Sequence, residues 1–321
     1  MDGMRGIRGW QWIFLLEGAA TVAIGLLMPL LISDSPEQVS WLSGEEKRFV
    51  DLRLRASGVR SATGEGDKFS WKLLLRTMVD WKILLGILLA WANSVPNAAF
   101  KFTLPQILTE LGFVTEKAQL LTIPPYFAGG MSAWLVGRYA DRFAWRAPFI
   151  IVPLVLLMIS FAILFSLSSN ITANVGPMYF AIVLAQISIY PLLPGISAWV
   201  GNNLPQSWKR SIGLAWLLAA GNFGSESRRL RKLRFNTDNI RIGLIGTNMF
   251  LGREAPVYPT GYGTSLGICI LAIIAAAVLE GTLWRANRDR KKLSETEIRG
   301  KYTQEQLDAM GENSPLYQYT L

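Results

Sequence analysis

The sequence predicts an all-α, polytopic membrane protein with about seven transmembrane helices, and three observations support this prediction. Hydrophobic residues make up 51% of the chain and charged residues only 17%, whereas soluble proteins average about 25% charged residues. Apolar runs of about 20 residues, enough to cross a ~30 Å hydrocarbon layer as a helix, recur along the chain. Lysine and arginine cluster after alternate runs, as expected when short cationic loops stay in the cytoplasm.

The composition also argues against several other classes of protein. One cysteine, Cys269, and no histidine exclude a disulfide framework and offer no zinc or Cys/His catalytic site. The net charge of +9 could indicate nucleic-acid binding, but the basic residues lie in short stretches between apolar runs. That arrangement is typical of cytoplasmic loops rather than of a nucleic-acid-binding face. We therefore expect no metal, no cofactor and no nucleic-acid partner.

The first predicted span, residues 10–32, lies within a segment covering residues 1–33. Glu17 lies inside it and is a candidate for proton coupling, because a carboxylate within a membrane is a functional hypothesis by default. Since Glu17 is near one end of the span, it could instead reach the lipid headgroups. Residues 34–80 are polar and basic, and we expect a cytoplasmic linker with a short helix capped by Ser43.

Residues 81–284 are expected to form a six-helix transmembrane bundle. The spans of this bundle are predicted at residues 81–104, 120–136, 147–167, 178–200, from 212 onward and 265–283. A short charged turn follows the span at 120–136, and its arginines place that turn in the cytoplasm. The tail, residues 285–321, begins with a basic stretch that is also expected to be cytoplasmic. A short helix should start at residues 294–297, and the polar remainder is expected to be disordered.

The span that begins at residue 212 is interrupted by a strongly basic block. Residues 225–242 contain six arginines and lysines, and apolar sequence resumes after them. Each such residue costs ~2.5–3.5 kcal/mol at a helix centre, so the block cannot lie in hydrocarbon. Removing it would join the two apolar pieces into one span. We therefore expect either a segment foreign to the functional protein, such as a retained intron or a gene-model error, or a genuine cytoplasmic insertion.

Residues 137–142, GRYADR, resemble the short basic loop of the major facilitator superfamily, whose pattern is roughly G-x-L-A-D-R. The chain more specifically resembles the fungal allantoate permease branch of the anion:cation symporters. The matching phrases are GWQWIFLLEG (9–18), SDSPE (33–37), LLTIPPY (120–126), AWVGNNLPQSWKR (198–210), AAGNFG (219–224) and APVYPTGYG (255–263).

This resemblance implies a fold of twelve spans in two six-helix halves. The chain would then supply the sixth span and the second half, a partial major facilitator fold without spans one to five. It also implies that the turn at residues 137–142 helps to gate the cytoplasmic side. The gating residues would be Gly137, Arg138, Asp141 and Arg142.

The implied function is secondary active transport, with proton-coupled uptake of a small organic anion by alternating access between the two halves. Amide and phenol groups can bind a carboxylate without the penalty of a buried fixed charge. The cavity candidates are Asn93, Asn97, Tyr126, Gln186, Tyr190, Asn222 and Asn248. Each of them could equally serve helix–helix packing. The expected partners are the lipid bilayer, a small organic anion and a proton, and the expected location is the plasma membrane with the C-terminus in the cytoplasm.

Two other functions remain open at this point. Without spans one to five the chain could be an inactive or regulatory transporter fragment, or the product of a gene-model error, and transport would be impaired. A polytopic membrane enzyme is disfavoured, because the sequence contains no histidine and shows no catalytic cluster at the membrane interface. The substrate itself is not specified, since nicotinate, allantoate, pantothenate and biotin carriers share the matching phrases.

Overall fold

Helices form the regular secondary structure throughout the part of the chain that the structure, a computed structural model, describes. The described residues are 4–6, 8–31, 39–56, 71–143, 145–171, 173–205, 207–223, 254, 257–292, 295–303, 306–307 and 310–321. The predicted all-α class is confirmed within these residues. The chain divides into two compact units, Met1–Gly64 and Glu65–Leu321.

The first unit contains helix α1 (Gly9–Leu31) and helix α2 (Gly44–Ala56). The start of α2 is a capping box, as predicted for Ser43. The backbone N–H of Ser43 donates to Glu46 Oε2 over 2.9 Å, and the Glu46 N–H donates back to Ser43 Oγ over 3.4 Å. These bonds satisfy N–H groups that the first turn of a helix leaves unpaired. The bond from the Ser43 backbone is also the main reason that the pKa of Glu46 is lowered.

The second unit is a helical bundle with short helices at its ends. Its helices are α3 (Trp71–Met78), α4 (Trp81–Glu110), α5 (Thr115–Leu120), α6 (Ile123–Phe143), α7 (Pro148–Leu167), α8 (Val175–Asn202), α9 (Ser207–Phe223), α10 (Pro259–Arg290) and α11 (Glu295–Lys301). The short helices α3 and α5 were not predicted, whereas α11 confirms the predicted helix in the tail.

A helix is present at each predicted span. Four helices of the described chain are long and apolar enough to cross a membrane: Gly9–Pro29, Pro148–Asn170, Val175–Asn202 and Pro259–Arg290. Helices α4 and α6 have 30 and 21 residues and cover the spans predicted at 81–104 and 120–136. Helix α9 covers the first piece of the interrupted span. The basic block at 225–242 lies outside the described residues.

Helix α8 is the centre of the bundle. It packs against α4, α6 and α7, while α10 packs against α4 and α7, and α9 packs against α4. Side chains join these helices by hydrogen bonds to backbone carbonyls: Ser160 Oγ of α7 donates to Ala181 O over 2.6 Å, and Ser132 Oγ of α6 donates to Ile187 O over 2.6 Å. Such small polar residues connect helices where no water competes for the hydrogen bonds.

The outer surface of the bundle is apolar, as the membrane prediction requires. On α10 the side chains of Leu271, Ile274 and Val278 are exposed, whereas Ala272 and Ala276 on the opposite face are buried. A helix that is apolar on both faces is either inside a large protein or inside a membrane. Because one face of α10 lies on the surface of its unit, the membrane is the medium that explains this pattern.

The antiparallel order of the helices brings the basic ends together. The starts of α4, α7 and α9 and the ends of α6, α8 and α10 share one end of the bundle, which we call the inner end. At the opposite end, Tyr258 before α10 donates through its hydroxyl to Glu110 of α4 over 3.1 Å. Tyr179 near the start of α8 donates to Leu121 O over 3.1 Å. The loops that the sequence shows to be basic therefore lie at one end of the bundle, and the non-basic loops lie at the other.

Two predictions at the inner end were wrong. The first is the loop at residues 137–142, because α6 continues as a helix to Phe143. This stretch contains no proline, and Arg142 lies in the last turn of α6, where a cation interacts favourably with the helix dipole. The second is disorder in the tail. Residues 310–321, which we call the tail segment, form hydrogen bonds to several bundle helices, including bonds from Trp199 and Asn203 to Thr320 O.

The close approach of α6 and α8 at Gly129 gives a stability prediction. A Cβ at this position would lie 2.5 Å from Tyr190 Cδ2 and 3.0 Å from the carbonyl oxygen of Gln186. We expect Gly129→Ala to lower the free energy of unfolding by ~1–3 kcal/mol, the usual effect of overpacking. The control is Gly130→Ala, where the added methyl meets open space and should be neutral or slightly stabilising. Melting temperatures of the purified protein in detergent measure both, and equal values would contradict the close contact.

Candidate functional site

Four of the polar candidates lie around the middle of α8: Asn93, Tyr126, Gln186 and Tyr190. The amide of Asn93 on α4 donates to Ile189 O of α8 over 2.6 Å. On the other side of α8, Gly129 of α6 faces the backbone of Gln186 and the ring of Tyr190. Residues 186–190 are therefore contacted from α4 and from α6 at the same level, which brings polar groups of three helices to one depth of the bundle.

The seven cavity candidates differ in their contacts. Asn93 is buried, and its hydrogen bond to Ile189 O makes it a helix-packing residue. Tyr126 and Tyr190 are half-buried and stack edge to face, with ring centroids 6.4 Å apart and an interplanar angle of 83°. Both tyrosines thus combine an apolar contact with partial access to the surroundings.

Gln186 differs from these residues because its amide is unsatisfied. The side chain is fully buried, and neither Nε2 nor Oε1 has a hydrogen-bond partner among the described residues. An unpaired buried polar group costs roughly 1–3 kcal/mol. Asn97, close to Asn93 on α4, likewise has a buried Oδ1 without a hydrogen-bond partner in the described part of the chain. The middle of the bundle therefore holds amide groups that are free to bind a solute or water.

The remaining candidates lie elsewhere in the chain. Asn222 is exposed on α9, where the adjacent Gly221 faces Ala90 and Ser94 of α4. Asn248 lies outside the described residues. Glu17 is exposed on α1 in the first unit.

The predicted gating residues lie on the last turns of α6 at the inner end. Arg138, Asp141 and Arg142 line a recess of about 550 Å³ together with two aromatic residues, Trp134 and Tyr139. Gly137 lies within the same stretch of helix, and nothing approaches the position of its missing Cβ.

Asp141 pairs with an arginine that was not among the predicted gating residues. Arg146 Nη2 donates to Asp141 Oδ1 over 2.9 Å and so connects the end of α6 to the turn before α7. The neighbouring Trp145 donates through Nε1 to Glu280 Oε1 of α10 over 3.0 Å. Two consecutive residues of this turn therefore connect three helices. Because Asp141 is exposed, its ion pair contributes little to stability, about 0–1 kcal/mol.

A cluster of charged residues at the inner end was missed from the sequence. Lys82 begins α4 and Lys209 begins α9, and both bind Glu312 of the tail segment. Lys209 also pairs with Asp80 over 2.6 Å. No sequence signal predicts this cluster, since Lys82 and Glu312 are 230 positions apart. Among the described residues no group of three or more His, Cys, Asp or Glu side chains could hold a metal ion.

A comparison with protein-family models and a comparison with curated proteins both find similarity to membrane transporters. The family model described as Major Facilitator Superfamily matches residues 5–225. The chain is 32% identical to the MFS-type transporter cnsO of Penicillium expansum, over all of this chain and 60% of that protein. It is 27% identical to the major facilitator-type transporter hxnP of Emericella nidulans, over 98% of this chain and 59% of that protein. The high-affinity nicotinic acid transporter of Saccharomyces cerevisiae is 24% identical, over 89% of this chain and 48% of that protein.

The chain thus spans about half to three fifths of the length of the curated relatives that it matches. The comparison with solved structures found no match.

The different contacts of Asn93 and Gln186 predict opposite effects on stability. Asn93→Leu removes an interhelical hydrogen bond, and we expect it to reduce the free energy of unfolding by ~1 kcal/mol. Gln186→Leu replaces an unsatisfied amide with an apolar group of similar size, and we expect no loss or a gain. Thermal unfolding in detergent measures both variants. A Gln186→Leu variant less stable than Asn93→Leu would show that the amide of Gln186 is hydrogen-bonded in the folded protein.

Proposed function

Because the chain belongs to the major facilitator superfamily, we propose that it acts as a secondary active transporter that takes up a small organic anion together with a proton. The named relatives are transporters, which supports a membrane transporter rather than an enzyme. The plasma membrane is the proposed location, with the inner end of the bundle and the C-terminus in the cytoplasm. Within the superfamily, we propose that the chain belongs to the branch that includes the allantoate permeases.

The observation that supports anion binding best is the unsatisfied amide of Gln186 at the middle of α8. Asn93, Ser132 and Ser160 satisfy their polar groups by interhelical hydrogen bonds, whereas an unpaired amide at this depth is costly. An amide N–H can donate to a carboxylate and, unlike a lysine, adds no buried fixed charge. Tyr126 and Tyr190 would add phenol donors from the half-buried side of the cluster.

The burial of Gln186 indicates how access would be controlled. Its side chain is fully enclosed, so a solute can reach the amide only if neighbouring helices move. In alternating access, such motion opens the site to one side of the membrane at a time. We propose that Asp141, Arg138 and Arg142 at the end of α6 gate the inner side, with the ion pair between Asp141 and Arg146 holding the α6–α7 hairpin closed.

The proposed substrate is a small carboxylate. The name of one relative specifies nicotinic acid, a carboxylate that could accept hydrogen bonds from neutral donors such as those at the centre of α8. For proton coupling we propose Glu17 of α1, because a carboxylate within a membrane span is rare and usually functional.

Uptake by cells that express the chain tests this proposal. We expect radiolabelled nicotinate, allantoate, pantothenate or biotin to accumulate under an inward proton gradient and the accumulation to stop when a protonophore is added. Gln186→Leu should reduce initial uptake about tenfold, the effect of losing one hydrogen bond to a charged ligand. The control, Gln119→Leu, changes an exposed glutamine on α5 and should leave uptake unchanged. Equal uptake by the two variants would contradict a binding role for Gln186.

The gating proposal makes a separate prediction for Asp141→Asn. The variant should lose most of the initial uptake rate, while its free energy of unfolding changes by only about 0–1 kcal/mol, because the pair with Arg146 is exposed. Asp289→Asn is the control, since Asp289 is as exposed as Asp141 and forms an ion pair with Lys292 over 2.7 Å. Uptake assays and melting curves on the same preparations separate the two effects. Uptake by Asp141→Asn at the rate of the control would count against gating.

A further inference from the structure

We propose that the tail segment, residues 310–321, is a latch that fastens the cytoplasmic ends of α4, α8, α9 and α10 to one another. Its anchor is Glu312, whose carboxylate binds two lysines from different helices. Lys82 Nζ of α4 lies 2.5 Å from Oε2, and Lys209 Nζ of α9 lies 2.6 Å from Oε1. One side chain of the tail therefore connects two helices that are far apart in the sequence.

The two lysines form a built site for a carboxylate. The Lys82 side chain is 3% exposed and the Lys209 side chain 11%, so both ammonium groups are largely removed from water. Burial acts to lower the pKa of Lys209, but its hydrogen bonds to Asp80 and Glu312 outweigh this effect and raise the pKa above its ordinary value. Both lysines need anionic partners in this setting, since an unpaired buried charge is strongly unfavourable. Glu312 is an anionic partner of both lysines, and Asp80 is a second partner of Lys209.

The last residues of the tail segment bind α8 and α10 through their backbone. Asn203 at the end of α8 accepts the N–H of Thr320 over 2.8 Å and donates to its carbonyl over 3.0 Å. Asn287 of α10 makes the same pair of bonds to Tyr319, each 2.8 Å long. Two asparagines on different helices thus bind the backbone N–H and carbonyl groups of consecutive residues of the tail. This pairing fixes the direction of the tail and does not depend on the side chains of Tyr319 and Thr320.

Arg290 at the end of α10 clamps the middle of the tail segment. Its guanidinium donates to the carbonyls of Tyr317 and Glu312, each over 2.7 Å, and lies 4.6 Å from the centre of the Tyr319 ring. Burial raises the pKa of Tyr317 to about 12. The hydroxyl of Tyr317 donates to Asn202 O, at the end of α8, over 3.0 Å. The tail is therefore packed against the bundle along its length rather than held at one point.

The contacts define what the latch does. The helices that it fastens lie at the end of the bundle that carries the cationic loops, and the helix ends cannot separate there while Glu312 and Thr320 stay bound. Leu321 also accepts a hydrogen bond from the backbone N–H of Arg146, in the turn beside the proposed gate. Release of the tail would remove the Glu312 carboxylate from both lysines, leave Lys209 paired with Asp80 alone and expose the polar ends of α8 and α10. The latch is thus a restraint on opening of the inner end that is separate from the ion pair of Asp141, and it does not depend on the identity of the substrate.

Thiol labelling of the full chain in inside-out membrane vesicles tests the latch. Ser314 lies in the tail segment, is buried and differs from cysteine by one atom, so Ser314→Cys introduces a reporter with little disturbance. The native Cys269 is buried in α10 and serves as an internal measure of bundle integrity. A bulky polar maleimide should label position 314 slowly in this protein and leave Cys269 unlabelled.

Adding Glu312→Gln should accelerate labelling at position 314 about tenfold or more, because it leaves two enclosed ammonium groups without one of their anionic partners. Labelling of Cys269 should stay unchanged. Adding Asp289→Asn instead removes an equivalent negative charge from an exposed pair at the same end and should leave labelling at position 314 as it was.

Three results would overturn the proposal. Rapid labelling at position 314 before Glu312 is changed would show that the tail is not docked. The same rate with and without Glu312→Gln would show that the carboxylate does not hold it. Parallel acceleration at position 314 and at Cys269 would show that the whole bundle had opened rather than the latch.

Discussion

The constraint on which the whole structure depends is that hydrocarbon cannot hydrogen-bond. Every polar group at membrane depth must find its partner inside the protein, and helices meet this requirement for the backbone. Side chains follow the same rule in the bundle, where Ser132, Ser160 and Asn93 donate to backbone carbonyls of α8. Helix α8 accepts these bonds because it lies between α4, α6 and α7. Gln186 and Asn97 depart from this rule, because each has a buried amide atom without a hydrogen-bond partner among the described residues.

The same constraint explains why the charges gather at the ends of the helices. Charged side chains excluded from the spans collect where the antiparallel helices begin and end, and the inner end receives most of the cations. Lys82, Lys209 and Arg290 lie at this end, and all three bind Glu312 of the tail segment. The lysines bind its carboxylate, and Arg290 donates to its backbone carbonyl. A polar tail with one carboxylate, Glu312, then adds ion pairs between the first turns of α4 and α9, which also pack against each other.

The sequence predicted the features that depend on local chemistry. Apolar runs located the helices, and Ser43 with Glu46 predicted the start of α2, because a cap and its partner are three residues apart. Features that depend on distant partners could not be predicted in this way. Asn93 and Gln186 are both amides inside predicted spans and look alike in the sequence. Asn93 is a packing residue because the fold places it beside Ile189 O, which lies 96 residues further along the chain. Gln186 has no such partner among the described residues. The sequence predicts disorder for the polar tail segment for the same reason, because its partners Asn203 and Asn287 lie far from it in the sequence. The roles proposed for the seven cavity candidates, for the gating residues and for Glu17 stay predictions.

The central claim is that these helices cross a bilayer with their cationic ends in the cytoplasm. The most direct test is the sidedness of two exposed positions, Ala173 between α7 and α8 and Lys291 after α10. Cysteine substitutions at each are treated with a membrane-impermeant maleimide in intact cells and again after permeabilisation. The account predicts that position 173 is labelled in intact cells and that position 291 is labelled only after permeabilisation. Labelling of both positions from the same side would contradict it.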